Sequence, residues 1–245
     1  MKLRSLLAAL IAVVAAVAVT GCGSKEASTD QSTLTVFAAA SLNPAFTEVP
    51  APDGTEVSFS FGGSSGLVDQ IENGAPADVL ATADKRTMDR AVEAGLIDGD
   101  PVQFTTNQLV LVTPADNPAG ITGVDDSLTD ARVMVCEPSV PCGASTKKAL
   151  EAAGVTITPA SEETSVTSTL QTVTSGEADA AFVYRTDALA AGDSVKVFDV
   201  SGAEPNTYWI GAVKDSSNAE AAKQFIEAVQ GSEGQEALKK HGFGD

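Results

Sequence analysis

The stretch Thr55–Asp84, "TEVSFSFGGSSGLVDQIENGAPADVLATAD", decides the fold of this chain. Its first seven residues alternate polar and apolar side chains through Val57, Phe59 and Phe61, the period-two pattern of a strand. Two glycines and two serines follow, and then Leu67, Val68 and Ile71 recur at helical spacing. Asn73, Gly74 and Pro76 stop that helix, "DVLAT" supplies another strand, and Asp84 stands where it can cap the next helix. A strand–helix–strand unit of this kind is the building block of α/β architecture.

Working outward, the same alternation continues. Thr33–Ala38, "TLTVFA", is a strand upstream, and Ser41 stands at its end where a helix begins and can cap it. Downstream, Met88, Val92 and Leu96 form the inner face of a helix ended near Gly95. The segments "QLVLVTP" (108–114), "ARVMVCEP" (131–138), "GVTITPA" (154–160), "AAFVYRTDAL" (180–189), "VKVFDV" (195–200) and "TYWIGAV" (207–213) read as strands. "STKKALEAAG" and the Val166–Leu170–Val173 pattern read as helices, and residues 217–242 as one closing helix. Strands and short helices alternate throughout, which predicts largely parallel or mixed sheets flanked by helices. The connections near Asn107 and Asn206 are candidate crossings between two lobes.

The N-terminus has another character. Lys2 and Arg4 precede an apolar run from Leu6 to Val19, and Val19-Thr-Gly-Cys22 follows directly. This is the layout of an export signal. One reading is cleavage that frees a soluble protein. The reading favoured here is a lipobox, with residues 1–21 as a lipoprotein signal peptide, Cys22 as the lipidated N-terminus and residues 22–32 as a flexible polar tether. Cleavage before Cys22 leaves 224 residues, enough for one or two domains. Loss of Lys2 and Arg4 leaves 13 basic against 33 acidic side chains, a net charge of −20. A field of that sign repels nucleic acid and anionic lipid, and makes any anion site a local matter of hydrogen bonds.

Cys136 and Cys142 remain in "CEPSVPC". Export to an oxidising compartment favours a disulfide there over two buried thiols. Two cysteines and the single histidine, His241, are too few for a structural zinc site. No Gly-Lys-Ser/Thr follows the glycines of "FGGSSG", so it is no P-loop, and it lacks the context of a dinucleotide fingerprint. A serine hydrolase would need a base, yet His241 lies four residues from the end and no "GxSxG" elbow occurs. Glu162–Glu163 and Asp125–Asp126 read as solvated pairs, not as a glycosidase couple. The chain is therefore not expected to be an enzyme. Iron capture usually recruits adjacent tyrosines, and only Tyr184 and Tyr208 occur.

What does recur is a small-residue junction between strand and helix, once at Ser41 and again at Ser64–Ser65. Helix N-termini offer free N–H groups and partial positive charge, so two such junctions facing one another make an anion site.

"TVFAAASL" (35–42), "SSGLVDQIENGAPADVLATAD" (64–84), "MDRAVEAGLI" (88–97) and "FVYRTDAL" (182–189) together resemble the periplasmic molybdate-binding proteins of ABC importers, the ModA family. The similarity runs from about Thr33 to the C-terminus, with the later half more divergent. It implies a bilobed α/β fold of the type II periplasmic-binding-protein kind, with residues 33–107 plus 206–245 in lobe 1, residues 108–205 in lobe 2 and the ligand in the cleft between them. The family holds its anion with two serines, two backbone N–H groups and a tyrosine. Matched one by one, these fall on Ser41, on Ser64 with Ser65 as the nearby alternative, on Cys142 where relatives usually have alanine, on Val166 and on Tyr184. The implied ligand is molybdate or tungstate, with no cofactor and no directly bound cation. The implied partner is an ABC permease, and the protein is expected to be monomeric and outside the cytoplasm. Sulfate or thiosulfate is the alternative ligand. Phosphate species, which still carry a proton, are disfavoured because none of the five positions is acidic.

Overall fold

Alternation and β-branching build ten strands in the computed structural model, which describes residues 32–244. The signal segment, Cys22 and the tether up to residue 31 lie outside the described residues. The strands are β1 (Ser32–Ala39), β2 (Thr55–Gly62), β3 (Val79–Thr82), β4 (Ile97–Asn107), β5 (Leu109–Pro114), β6 (Val133–Cys136), β7 (Ser161–Glu163), β8 (Ala180–Tyr184), β9 (Val195–Asp199) and β10 (Asn206–Val213). Among them run the helices α1 (Asn43–Phe46), α2 (Ser64–Glu72), α3 (Lys85–Glu93), α4 (Pro141–Ala153), α5 (Val166–Thr174), α6 (Arg185–Ala191), α7 (Ala219–Gln230) and α8 (Ser232–Lys240).

Two five-stranded sheets result, in the orders β2-β1-β3-β10-β4 and β7-β6-β8-β5-β9. Each holds three parallel strands in the order second-first-third, followed by an antiparallel pair of neighbours. The chain passes from one sheet to the other at Gln108 and returns through residues 200–205. The two crossings meet, because Asn206 at the start of β10 pairs with Asn107 at the end of β4. This is the mixed-sheet, helix-flanked, bilobed arrangement expected from the sequence.

Strand β1 shows how each sheet is covered. Leu34, Val36 and Ala38 are fully buried on one face, where Phe46 of α1 and Phe225 of α7 pack. Phe37 points the other way, into a cluster with Leu67, Val68 and Ile71 of α2. Alternate residues of a strand face opposite sides, so a run apolar on both faces demands helices on both. Fully burying a side chain such as Phe46 contributes about 1.5–3 kcal/mol.

Several sequence readings are corrected. Strand β4 is absent from the pattern because Gly99 and Pro101 interrupt it; they lie in a bulge where the pairing slips between Ile210 and Ala212. The strand expected at 154–160 is irregular chain, and the short β7 follows at 161–163. "AAFVYRTDAL" is strand only to Tyr184 and then turns into α6. The closing helix is two, broken at Gly231, where the chain leaves helical geometry (ψ 170°). On α3, Met88 is buried but Val92 is exposed; Ala91 and Thr87 complete the inner face instead.

Candidate functional site

In open α/β sheets, ligands bind beyond the carboxyl ends of parallel strands. Here six such ends face one another. In the first sheet, β1 runs into Ala40–Ser41, β2 into Gly63–Ser64 and β3 into Ala83. In the second, β6 leads to Val140–Cys142, β7 to Ser165–Val166, and β8 ends at Tyr184. Residues from all six line one small cavity of about 20 Å³. All five expected site residues, Ser41, Ser64, Cys142, Val166 and Tyr184, line it. The cavity is far below the roughly 300–1,000 Å³ of sites for organic ligands, and no charged side chain lines it. A larger depression of about 420 Å³ lies elsewhere, beside Asp78. Its carboxylate is already engaged by Thr35 N, Ser216 Oγ and Asn218 Nδ2, so it makes a structural corner rather than a site.

The two serines do not cap helices, contrary to the plain reading of such junctions. Ser41 lies inside a single 3₁₀ turn, Ala40–Leu42, and its Oγ is 2.8 Å from the Tyr208 hydroxyl. Ser64 is the first residue of α2, where Gly63 holds the cap position, and Ser64 Oγ accepts from Ala83 N at 3.1 Å. Ser65 is spent elsewhere. Its hydroxyl donates to the Ser139 carbonyl at 2.7 Å, which also accepts from Arg86 at 3.0 Å. These bonds tie the first lobe to the loop after β6. Beside them Gly63 approaches Thr164 so closely that any Cβ would overlap the Thr164 carbonyl oxygen.

On the opposite wall, Cys142 and Val166 open α4 and α5. First-turn N–H groups have no partner within their own helix, so both amides are available to the cavity. Ser165 caps α5 by accepting from Ser168 N at 3.2 Å. Cys142 is held in two ways. It forms a disulfide with Cys136. The next residue, Gly143, sits against the Cys136 and Glu137 carbonyls where no Cβ fits.

Tyr184 is 1% exposed, and its hydroxyl accepts from Asn206 Nδ2 at 2.7 Å. Burial pushes the Tyr184 and Tyr208 phenols well above their usual range, so both remain O–H donors. The Asp187 carboxyl accepts from Tyr184 N at 3.1 Å, and burial raises it to about 7. Three residues that the sequence reading assigned no site role join here: Tyr208, Asn107 and Asn206. Their only sequence signal was position, two asparagines and an aromatic at the expected crossings. The sole histidine, His241, does not line the cavity and instead contacts Glu48 Oε1 at 3.0 Å.

Two sheets of this order, joined by two crossings with a small neutral pocket between them, are the bilobed architecture of the type II periplasmic-binding-protein fold. Residues 34–244 match the family described as bacterial extracellular solute-binding protein, and the chain belongs to that family. Within it the chain is similar to the molybdate-binding protein ModA of Mycobacterium tuberculosis, 40% identical over 218 residues that cover 86% of this chain and 84% of that one. It is also 30% identical to a putative ABC transporter substrate-binding lipoprotein of Bacillus subtilis, with 96% of each chain covered. Among solved structures, the substrate binding domain of a putative molybdenum ABC transporter from Clostridium difficile superposes with a TM-score of 0.63 at 28% identity, covering 88% of this chain and 99% of that one. The resemblance read from the motifs is thus borne out, and with it the expectation of a binding protein, not an enzyme.

Proposed function

We propose that this protein captures molybdate or tungstate outside the cytoplasm and delivers it to an ABC permease. The observation that carries the reading is the convergence of six strand ends on one small cavity that offers hydroxyls and amides without a charged side chain. Molybdate and tungstate are fully deprotonated tetrahedral dianions near neutral pH, so every oxygen accepts. A matched site supplies donors only: the hydroxyls of Ser41, Ser64 and Tyr184, and the amides of Cys142 and Val166. Ser64 is preferred to Ser65 because the Ser65 hydroxyl is engaged by Ser139.

Lobe 1 comprises residues 33–107 and 206–245, and lobe 2 residues 108–205. They close about the two crossings. The disulfide to Cys136 preorganises the amide of Cys142, lowering the ordering cost of binding. Lipid on Cys22 anchors a monomer to the membrane, and the permease receives the closed form. Calorimetry with molybdate, tungstate, sulfate and phosphate tests the assignment. Sub-micromolar binding of the first two alone supports it. Binding of sulfate alone points to the other-oxyanion reading, and no heat from any oxyanion defeats both.

A further inference from the structure

Donor-only recognition requires more than hydroxyls near the anion, because a hydroxyl can accept as readily as it donates. We infer that Asn107 and Asn206, at the paired crossings, set the direction of the site hydroxyls and thereby the preference for unprotonated anions. The inference rests on the cavity being the oxyanion site.

The orientation of each amide is fixed by a neighbour whose role is not in doubt. Asn107 Oδ1 accepts from Gln108 N at 2.9 Å, so its nitrogen faces the other way, donating to Thr186 Oγ1 at 2.8 Å and Tyr208 Oη at 3.3 Å. Asn206 Nδ2 donates to the Ala83 carbonyl at 3.1 Å, and its oxygen accepts from Ser145 Oγ at 2.6 Å. The second Nδ2 proton of Asn206 therefore goes to Tyr184 Oη.

The consequences propagate to the cavity. Tyr184 Oη accepts from behind, so its single proton points forward. Tyr208 is fully buried, and among the described residues its hydroxyl has two hydrogen-bond partners, Asn107 Nδ2 and Ser41 Oγ. It accepts from the first and so donates to the second. Ser41, receiving that proton, turns its own toward the cavity. Ser64 Oγ likewise accepts from Ala83 N and has its proton free. Each cavity hydroxyl is fed a donor from the protein side. A protonated oxyanion would then set its O–H against an outward-facing proton, and a buried polar group left so unmatched is costly.

Asparagine-to-aspartate substitution reverses the relay at nearly constant shape. In Asn206→Asp, a carboxylate oxygen takes the Tyr184 proton and exposes the phenol lone pair to the ligand. Molybdate affinity should fall about 10- to 100-fold, and hydrogen arsenate should lose less, so the selectivity ratio narrows. In a Tyr184→Phe background the same substitution should cost less than in the wild type, its remaining cost being the repulsion between the added carboxylate and the dianion, because no hydroxyl remains to be turned. Asn107→Asp with Ser41→Ala forms the matching pair on the other relay. Thermal unfolding of each variant checks that it folds.

The wild type supplies a test that needs no variant. Selenate, without a proton, should bind at least tenfold more tightly than hydrogen arsenate, a dianion of equal charge that carries one. Equal affinity for those two, or an Asn206→Asp cost as large in Tyr184→Phe as in the wild type, overturns the relay. If the wild type binds no oxyanion at all, the site assignment itself has failed.

Discussion

Ser41, Ser64 and Tyr184 each present one hydroxyl whose back side is already occupied, and this gives substitution experiments sharp expectations. Ser41→Ala and Ser64→Ala should each weaken molybdate binding about 10- to 100-fold, the cost of one lost bond to a buried charge. Ser65→Ala removes only a neutral bond to Ser139, so about tenfold is its upper bound. Calorimetry that ranks Ser65→Ala above Ser64→Ala would reverse the assignment of the second serine. Asp187 offers a separate test through pH. Its carboxyl is raised to about 7 in the folded protein, against about 3.9 in an unfolded chain. The folded state therefore holds the proton more tightly, and this contribution is complete below about pH 4 and lost as pH rises through 7. Wild-type stability should fall between pH 5 and pH 8 by up to about 3 kcal/mol, and Asp187→Asn should flatten that slope. Urea midpoints at the two pH values decide it. At this scale the sequence exposed residue types but not their partners. Ser41 looked like a helix cap because its true partner, Tyr208, lies 167 positions away.

Elements were legible where their pattern was unbroken. Strand β2 and helix α2 follow period two and helical spacing within one continuous stretch, and both were readable. Strand β4 was not, because its bulge places Gly99 and Pro101 in the middle of the run, and only pairing with β10 holds it. The break at Tyr184 was hidden for another reason: α6 has only seven residues, too few turns for a helical period to show after β8. Gly63, between β2 and α2, carries the prediction at this scale. Its backbone angles, φ −63° and ψ 128°, suit any residue. The space does not, since a Cβ would overlap the Thr164 carbonyl oxygen beside the second sheet. Gly63→Ala should weaken molybdate binding about 5- to 100-fold, from the usual cost of overpacking. Thermal stability without ligand should change little. A variant that binds normally would show that the close approach of Gly63 to Thr164 is not needed in the bound state.

For the molecule as a whole, the sequence carried the α/β class and the two crossings, while the convergence of six strand ends needed coordinates. Its charge sets an unusual condition on encounter. The net charge of −18 opposes the approach of any dianion. Added salt screens that repulsion, so the association rate for molybdate should rise with ionic strength, the reverse of a steered encounter. Trp209, the only tryptophan, lies on β10 near the paired crossings and gives a fluorescence signal for stopped-flow mixing. A rate that falls as salt increases would mean that a local cationic funnel outweighs the global field.

The bond between Cys136 and Cys142 also ties the protein's grip to its redox surroundings. Disulfides persist in oxidising compartments and are rare in the reducing cytosol, so reduction would remove one of the two constraints on the loop that presents the Cys142 amide. The reduced form should bind the metal oxyanion more weakly, with the full grip reached only on oxidation. Dithiothreitol-treated and air-oxidised samples of the protein would reveal the difference, and identical dissociation constants would show that the staple serves durability alone.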